Sequence, residues 1–288
     1  MSTAVLIVNY KTYDELAQCL SSLGSQLAEG DEVVVVDQES DAARLEAAAK
    51  ALGRPLVSLT RRDNIGFAAG VNLAAASSRA PYLLLLNPDA TAEGPIVRVL
   101  ESFLTAHPDV GVAGARVLNA DGTIQPSARM FPDLTTWFGG RTSWLTRRFP
   151  GNALSQRNLA ASFEATSPLD VDWLSGSCFM TPRAIFERMG GLDAGFFMYW
   201  EDADYCSRVM AAGYRRMLVP EACVRHRAGR SAARAPARAI RTFHKSAFRL
   251  YCKRATAMGR LFAPLVGAGL WLRGEWRARR AAPGSDVA

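Results

Sequence analysis

Hydrophobic positions in this chain of 288 residues form short uninterrupted runs that alternate with longer amphipathic stretches. Ala4-Val5-Leu6-Ile7-Val8, Val33-Val34-Val35-Val36 and Tyr82 to Leu86 are apolar over strand length, as strands covered on both faces must be. Leu56-Val57-Ser58-Leu59 adds a short strand, residues 110–117 another, and Met217-Leu218-Val219-Pro220 a last one. Between them lie helical patterns. Thr12-Tyr13-Asp14-Glu15 has the form of a capping box ahead of Leu16, Leu20, Leu23 and Leu27. An Ala-rich segment spans roughly 41–52, the turn Asn64-Ile65-Gly66-Phe67 feeds a second Ala-rich helix, and 93–106 is a third. Thr181-Pro182 reads as the N-cap and first residue of a helix closed by Gly190-Gly191. A further helix runs from the acids at 201–204 to about Ala212 and stops at Gly213. Strands alternating with helices predict an α/β fold built on a doubly wound, mostly parallel, Rossmann-like sheet. Residues 125–170 have little periodicity and predict a long, partly mobile segment, which in compact domains is usually functional.

Charge changes this picture at the C-terminal end. Residues 1–224 carry 19 Lys/Arg against 25 Asp/Glu, whereas 225–280 carry 15 Lys/Arg against the single acid Glu275. Arg230, Arg234, Arg238, Arg241, Lys245, Arg249 and Lys253 recur at helical spacing, Pro236 sets the helix start, and Ile240, Phe243, Ala247, Leu250 and Tyr251 take the opposite face. Leu261 to Leu272 is apolar for too few residues to span a bilayer. A basic amphipathic helical tail over 229–288, lying on an anionic membrane surface, is the expectation; a helix packed on the body with a solvated basic face is the alternative. The charge would also suit nucleic acid, but no binding motif accompanies it, so no nucleic-acid partner is expected.

Composition narrows the class. Hydrophobic residues at 49% and charged residues at 21% exclude a disordered chain. Five cysteines, at 19, 178, 206, 223 and 252, form no Cys-x-x-Cys pair and read as reduced thiols filling a core. Met1-Ser2-Thr3 leads directly into a strand without a basic leader, so no signal peptide is expected and a cytoplasmic protein is, peripheral on the cytoplasmic face of the plasma membrane.

Two stretches carry candidate chemistry. Phe196-Phe197-Met198-Tyr199-Trp200 runs into Glu201, Asp202 and Asp204, and apolar surroundings raise a carboxyl's pKa towards values that suit a base. The competing reading is a helix start whose acids face the positive end of the dipole. The second stretch is Asn87-Pro88-Asp89, an acid at the end of a buried strand, as Asp37 is. In doubly wound sheets ligands bind beyond the carboxyl ends of the strands. There Asp37 can accept from a base or ribose, Gly66 lets backbone approach a ligand, and Asp89 offers hard oxygen to Mg²⁺ or Mn²⁺ carrying a diphosphate. Together these describe a nucleotide-diphosphate site.

The ordered set Val8-Asn9-Tyr10, Val36-Asp37-Gln38-Glu39-Ser40, Asn64-Ile65-Gly66-Phe67, Asn87-Pro88-Asp89, Gly190-Gly191-Leu192-Asp193, Phe197 to Asp204 and His226 resembles family 2 glycosyltransferases of the GT-A fold, in their bacterial rhamnosyltransferase-like branch. The resemblance covers roughly residues 3–228 and implies a glycosyltransferase domain over 1–228, with a nucleotide-binding half to about 120 and an acceptor half from 121. It implies inverting transfer of a sugar, rhamnose from dTDP-rhamnose, to a hydroxyl of a lipid-linked or cell-surface glycan. Val8, Asn9, Tyr10, Asp37, Asn64, Gly66, Asn72, Asn87 and Asp89 would bind the nucleotide sugar. Asp89 with His226 would hold the metal, Asp202 would be the general base with Glu201 beside it, and Trp173, Ser175, Gly176 and Trp200 would shape the acceptor site. Asn87 stands where the family has the first acid of Asp-x-Asp, and Gln38-Glu39-Ser40 replaces the commoner Asn-x-Ser. A nucleotidyltransferase of sugar activation is the alternative, against which Ile7 to Thr12 lacks a glycine-rich phosphate loop; a non-catalytic nucleotide- or membrane-binding scaffold is the other.

Overall fold

Consecutive residues of the apolar runs feed two different cores. In the computed structural model of the protein, which describes residues 2–131, 148, 165–227 and 235–281, β1 (Thr3–Asn9) sends Val5 and Ile7 to one buried cluster and Ala4, Leu6 and Val8 to the other. α1 (Tyr13–Gly24), β2 (Glu32–Asp37), α2 (Ala42–Ala49), β3 (Val57–Thr60), α3 (Phe67–Ala76) and β4 (Tyr82–Leu86) follow. After them come β5 (Ala90–Ala92), α4 (Ile96–Ala106), β6 (Val110–Leu118), β7 (Ile124–Gln125) and β8 (Ala128–Arg129). Beyond residue 164 the chain forms β9 (Leu169–Asp170), β10 (Trp173–Leu174), β11 (Cys178–Pro182), α5 (Arg183–Arg188), α6 (Glu201–Ala211) and β12 (Arg215–His226). β2 and β4 divide their side chains between the two clusters as β1 does, because successive residues of a strand point to opposite faces. Leucines of α1 and α4 cover one face; Val71 of α3, Phe186 of α5 and Tyr205 and Val209 of α6 cover the other.

The sheet runs β3-β2-β1-β4-β11-β6-β12-β5, with β7 on β6 and β9 on β12. β1, β2, β3 and β4 are mutually parallel and β6 is parallel to β12, whereas β11 is antiparallel to both its neighbours. The register sets Asn9 beside Asp37 and Asp37 beside Thr60, so the carboxyl ends of three strands finish level.

Three local expectations change. The Thr12 side chain does not cap α1; its hydroxyl donates to Asn9 Oδ1 at 2.8 Å, closing the turn after β1 instead. Thr181-Pro182 ends a strand rather than opening a helix. The Thr181 hydroxyl donates across the sheet to Gly111 O at 2.8 Å and meets Tyr205 Oη at the same distance, and Pro182 is extended, with ψ 134°, so the helix begins at Arg183. The last strand has 12 residues, because beyond Pro220 it turns polar and pairs with β5 at the sheet edge. Of the segment expected to be mobile, 132–147 and 149–164 lie outside the described residues.

The tail forms α7 (Pro236–Arg254), α8 (Ala257–Leu261) and α9 (Ala263–Arg280). Part of the basic face of α7 turns onto the body, where Arg249 and Lys253 both reach Asp193 Oδ2, at 2.9 and 2.8 Å, and Lys253 also reaches Asp204 Oδ1 at 2.5 Å; Arg241 instead pairs within the tail, with Glu275 of α9 at 2.7 Å. Burial opposes ionisation of Asp193, but hydrogen bonds from Lys253, the Gly195 amide and Arg249 outweigh it and hold the carboxyl well below the usual range. Leu250 enters the body's core. α7 is thus packed on the body, but Arg249 and Lys253 meet acids there instead of forming a solvated face. Of the expected basic positions, Arg230 and Arg234 lie outside the described residues. Among those described, no helix is long and apolar enough to cross a membrane. Five free cysteines are present, and burial pushes the Cys178 and Cys206 thiols up to about 12, which leaves them unreactive.

Candidate functional site

The level strand ends open into a hollow of about 470 Å³, within the usual size of small-molecule sites. Val8 and Tyr10 at the end of β1, Gln38 after β2, Asn64, Gly66 and Phe67 before α3 and Asn87, Pro88 and Asp89 after β4 form one side. Ser175, Gly176 and Ser177 before β11, the stretch Phe197 to Asp202, and His226 at the end of β12 form the other.

The first wall is stiffened from behind. Asp37 is fully buried and accepts from Asn9 Nδ2 at 2.8 Å, Tyr13 Oη at 3.0 Å and the Ser40 amide at 3.1 Å. Burial, with the neighbouring Asp37 acceptor, raises the Tyr13 pKa and keeps its hydroxyl a donor. Gln38 reaches forward to the glycine turn, accepting from the Ile65 amide at 2.6 Å. Gly66 has φ 89°, and a Cβ there would run into the carbonyl of Phe197, which accepts from the Phe67 amide at 2.8 Å. This glycine thus joins the turn ahead of α3 to the stretch that carries the acids, a close approach no other residue permits.

At the floor, His226 Nε2 lies 3.0 Å from Asp89 Oδ1 and 3.4 Å from the Asn87 amide, while Nδ1 lies 3.0 Å from Gln125 Oε1. Among the described residues no group of three or more His, Cys, Asp or Glu is placed to hold a metal ion. A carboxylate beside an imidazole on a cavity wall fits a divalent ion whose remaining positions go to ligand oxygens and water.

The acids stand on the far side at the N-terminus of α6. Tyr199 and Trp200 precede them with φ 70° each, a left-handed pair that costs roughly 1–2 kcal/mol per residue. Asp202 accepts from the Gly176 amide at 2.8 Å and the Ala203 amide at 2.7 Å. Glu201 is buried, and its Oε2 has no hydrogen-bond partner. Burial raises both pKa values. Asp202 adds its charge to the rise at Glu201, whereas the two amides work against the rise at Asp202. The pair is thereby split: Glu201 holds its proton more tightly, and Asp202 is the one poised to exist as carboxylate. Arg129 lines the hollow, with its guanidinium 5.2 Å from the Trp173 ring, and its charge favours ionised Asp202. Trp173 and Trp200 line the same wall, and their indole nitrogens are buried without partners.

Asp89 and Asp202, far apart in sequence, thus share one hollow with Val8, Tyr10, Asn64, Gly66, Asn87, Trp173, Ser175, Gly176, Trp200, Glu201 and His226. Asn9, Asp37 and Asn72 do not line it. The first two form the supporting network, and Asn72 bridges the backbone of Leu192, accepting from its amide at 2.9 Å and donating to its carbonyl at 2.7 Å. Phe196 is core and Phe197 faces the hollow, while Asp204 binds Arg208 and Lys253 as a structural acid. Arg129, Gln125 and Phe243 contribute here without having been singled out from the sequence. The first two come from the aperiodic stretch, where nothing in the pattern marked them. Phe243 did stand out, but only as one apolar position on a helix face.

The family model for glycosyl transferase family 2 matches residues 4–190. The N-acetylglucosaminyl-diphospho-decaprenol L-rhamnosyltransferase of Mycobacterium tuberculosis is 30% identical over 272 residues, 91% of this chain and 87% of that protein. A mannosyltransferase of Pyrobaculum calidifontis, solved with GDP-Man and Mn²⁺, superposes with TM-score 0.58 at 15% identity, covering 99% of this chain and 76% of that one. S. aureus TarS 1–349 does so with TM-score 0.56 at 13% identity, covering 98% and 92%.

Proposed function

Because this chain belongs to glycosyl transferase family 2 and has the GT-A fold, we propose that it is an inverting glycosyltransferase moving rhamnose from dTDP-rhamnose to a hydroxyl of a lipid-linked glycan. The observation that carries the reaction is the shared hollow of Asp89 and Asp202. The 30% identity to a rhamnosyltransferase acting on N-acetylglucosaminyl-diphospho-decaprenol supports the sugar and the acceptor class.

Val8, Tyr10, Gln38, Asn64 and Gly66 receive the nucleotide, with Asn9 and Asp37 holding that wall from behind. Asn87, Asp89 and His226 face the diphosphate. A Mg²⁺ or Mn²⁺ ion held by Asp89 and His226 would offset the charge developing on the departing diphosphate. Asp202 takes the proton of the acceptor hydroxyl as that oxygen attacks the anomeric carbon from the face opposite the leaving group. Burial and the neighbouring Asp202 charge favour the neutral form of Glu201, which limits negative charge in the site. Trp173 and Trp200 offer ring faces to the sugars, with Ser175 and Gly176 between them. A panel of nucleotide sugars with Mn²⁺ or Mg²⁺ tests the reading by thermal shift. A donor at a hundred times its Kd stabilises the fold by about 2.7 kcal/mol, a rise of roughly 5–10 °C. dTDP-rhamnose should give it and should be consumed when GlcNAc-diphospho-lipid is added. A panel in which no nucleotide sugar shifts the transition would end the reading.

Membrane contact is assigned to α8 and α9. Met258, Leu261, Phe262, Leu265, Trp271 and Leu272 are exposed there, 52–74% each, and no charge interrupts Leu261 to Leu272. Arg273, Arg277, Arg279 and Arg280 follow, as basic residues flank an apolar face lying in an anionic interface. Vesicles containing phosphatidylglycerol should sediment the protein, less so at high salt, and a Leu265→Ser/Leu272→Ser variant should stay in solution. Equal sedimentation of that variant would contradict the assignment.

A further inference from the structure

The left-handed backbone that delivers Glu201 and Asp202 to the hollow is held from outside the body. Ser246 of α7 is buried, and its hydroxyl donates to the carbonyl of Met198 at 2.9 Å, immediately before Tyr199 and Trp200. One turn earlier on the same helix, the Phe243 ring stands 5.7 Å from Tyr199 and 5.2 Å from Trp200. Trp200 in turn packs on Trp173 along the same wall, ring centroids 5.8 Å apart, and its carbonyl accepts from the Asp204 amide in the first turn of α6. One and two turns later, Arg249 and Lys253 fasten Asp193 at the other end of the same loop. α7 therefore grips the loop ahead of α6 at both ends, although it follows the last strand of the sheet and begins only at residue 236.

We propose that Ser246 is a positioning residue for Asp202: by fixing the Met198 carbonyl it keeps Tyr199 and Trp200 in the left-handed conformation that sets the first turn of α6, and so the direction of the Asp202 carboxyl. The inference rests on the glycosyltransferase reading for its kinetic consequence, but not for its structural one. Ser246 does not line the hollow, so its loss acts through the backbone. In Ser246→Ala the donor KM stays within about twofold while kcat falls about ten- to a hundredfold, because small displacements of a reacting group carry rate penalties of that size. The melting temperature drops by only about 3 °C, as for one lost buried hydrogen bond.

Glycine adopts the left-handed region without strain, so Tyr199→Gly supplies the second arm. Once Tyr199 is Gly, adding Ser246→Ala should cost less than half, on a logarithmic scale, of what it costs in the parent, a coupling that independent structural damage would not produce. Hydrogen exchange gives a readout free of turnover. The Gly176 and Ala203 amides, both donors to Asp202, should exchange about tenfold faster in Ser246→Ala, while amides of β4 keep their protection. Unchanged exchange at those two amides, or additive kinetics in the Tyr199→Gly background, would overturn the assignment. A parent enzyme that transfers no sugar would count against the glycosyltransferase reading, and the exchange experiment would still decide the role of Ser246.

Discussion

Replacing Asp202 by Asn lowers kcat for sugar transfer by about 10²–10⁴-fold and leaves donor affinity within a few-fold of the parent value. The substitution preserves shape, and its remaining carbonyl oxygen can still accept from the Gly176 or Ala203 amide, so the loop need not move. What disappears is the proton acceptor. The pH profile checks the same point. Burial raises the Asp202 pKa above the ordinary aspartate value, and a base works only when ionised. The acid limb of kcat/KM in the parent therefore lies above the range of an exposed aspartate, and residual activity in Asp202→Asn lacks that limb. The linked stability runs the opposite way. A carboxyl whose folded pKa is raised binds its proton more tightly in the folded state. Its contribution is complete below the unfolded pKa and is lost as pH rises through the folded one. Glu201, raised further by its neighbour, adds to the same trend, so the parent loses stability as pH rises from the ordinary carboxylate range through the raised folded values, and Glu201→Gln flattens the decline. Turnover retained in Asp202→Asn would remove the residue as base.

The second large effect belongs to Asp89. Asp89→Ala raises donor KM and lowers kcat, together costing about 10²-fold or more in kcat/KM, and abolishes stimulation by Mn²⁺ or Mg²⁺. The loss is larger than for a surface acid because Asp89 and His226 face each other at 3.0 Å with side chains only 11% and 12% exposed, where charge is poorly screened. His226→Ala should keep part of the stimulation, since the harder ligand remains. A metal titration on the two variants is the check. An unchanged activation constant in Asp89→Ala would remove Asp89 from the diphosphate side of the mechanism.

Much of the sheet was legible in the sequence because its central strands are buried on both faces and read as unbroken apolar runs, as at Val5-Leu6-Ile7-Val8 and Leu83 to Leu86. The one central strand that escaped was Cys178–Pro182. Its threonine and proline have the composition of a helix start, and only the partners of the Thr181 hydroxyl across the sheet reveal its place. The acids at strand and helix ends stood out for a physical reason, since polar groups beside long apolar stretches need a compensating role. That criterion cannot separate a residue facing a ligand from one bracing the wall behind it: Asp37 and Asp89 look alike in sequence, yet three donors saturate Asp37 whereas Asp89 opens on the hollow. The partners of the tail were not legible. Seven basic residues at helical spacing suggested a face for an anionic membrane, or else a solvated one, but Arg249 and Lys253 find acids of the body some 50–60 residues earlier in the chain, a pairing that periodicity cannot encode. Its part in the site, through Phe243 and Ser246, followed from tertiary contact alone.

The anomeric configuration of the transferred sugar tests the central claim most directly, that one hollow holds the donor diphosphate at Asp89 while Asp202 deprotonates a hydroxyl attacking from the opposite face. Proton–carbon coupling constants measured by NMR on the product of a single transfer report it. Direct displacement predicts that a β-linked donor sugar appears α-linked in the product; retention of the donor configuration would contradict Asp202 as the base of a one-step reaction.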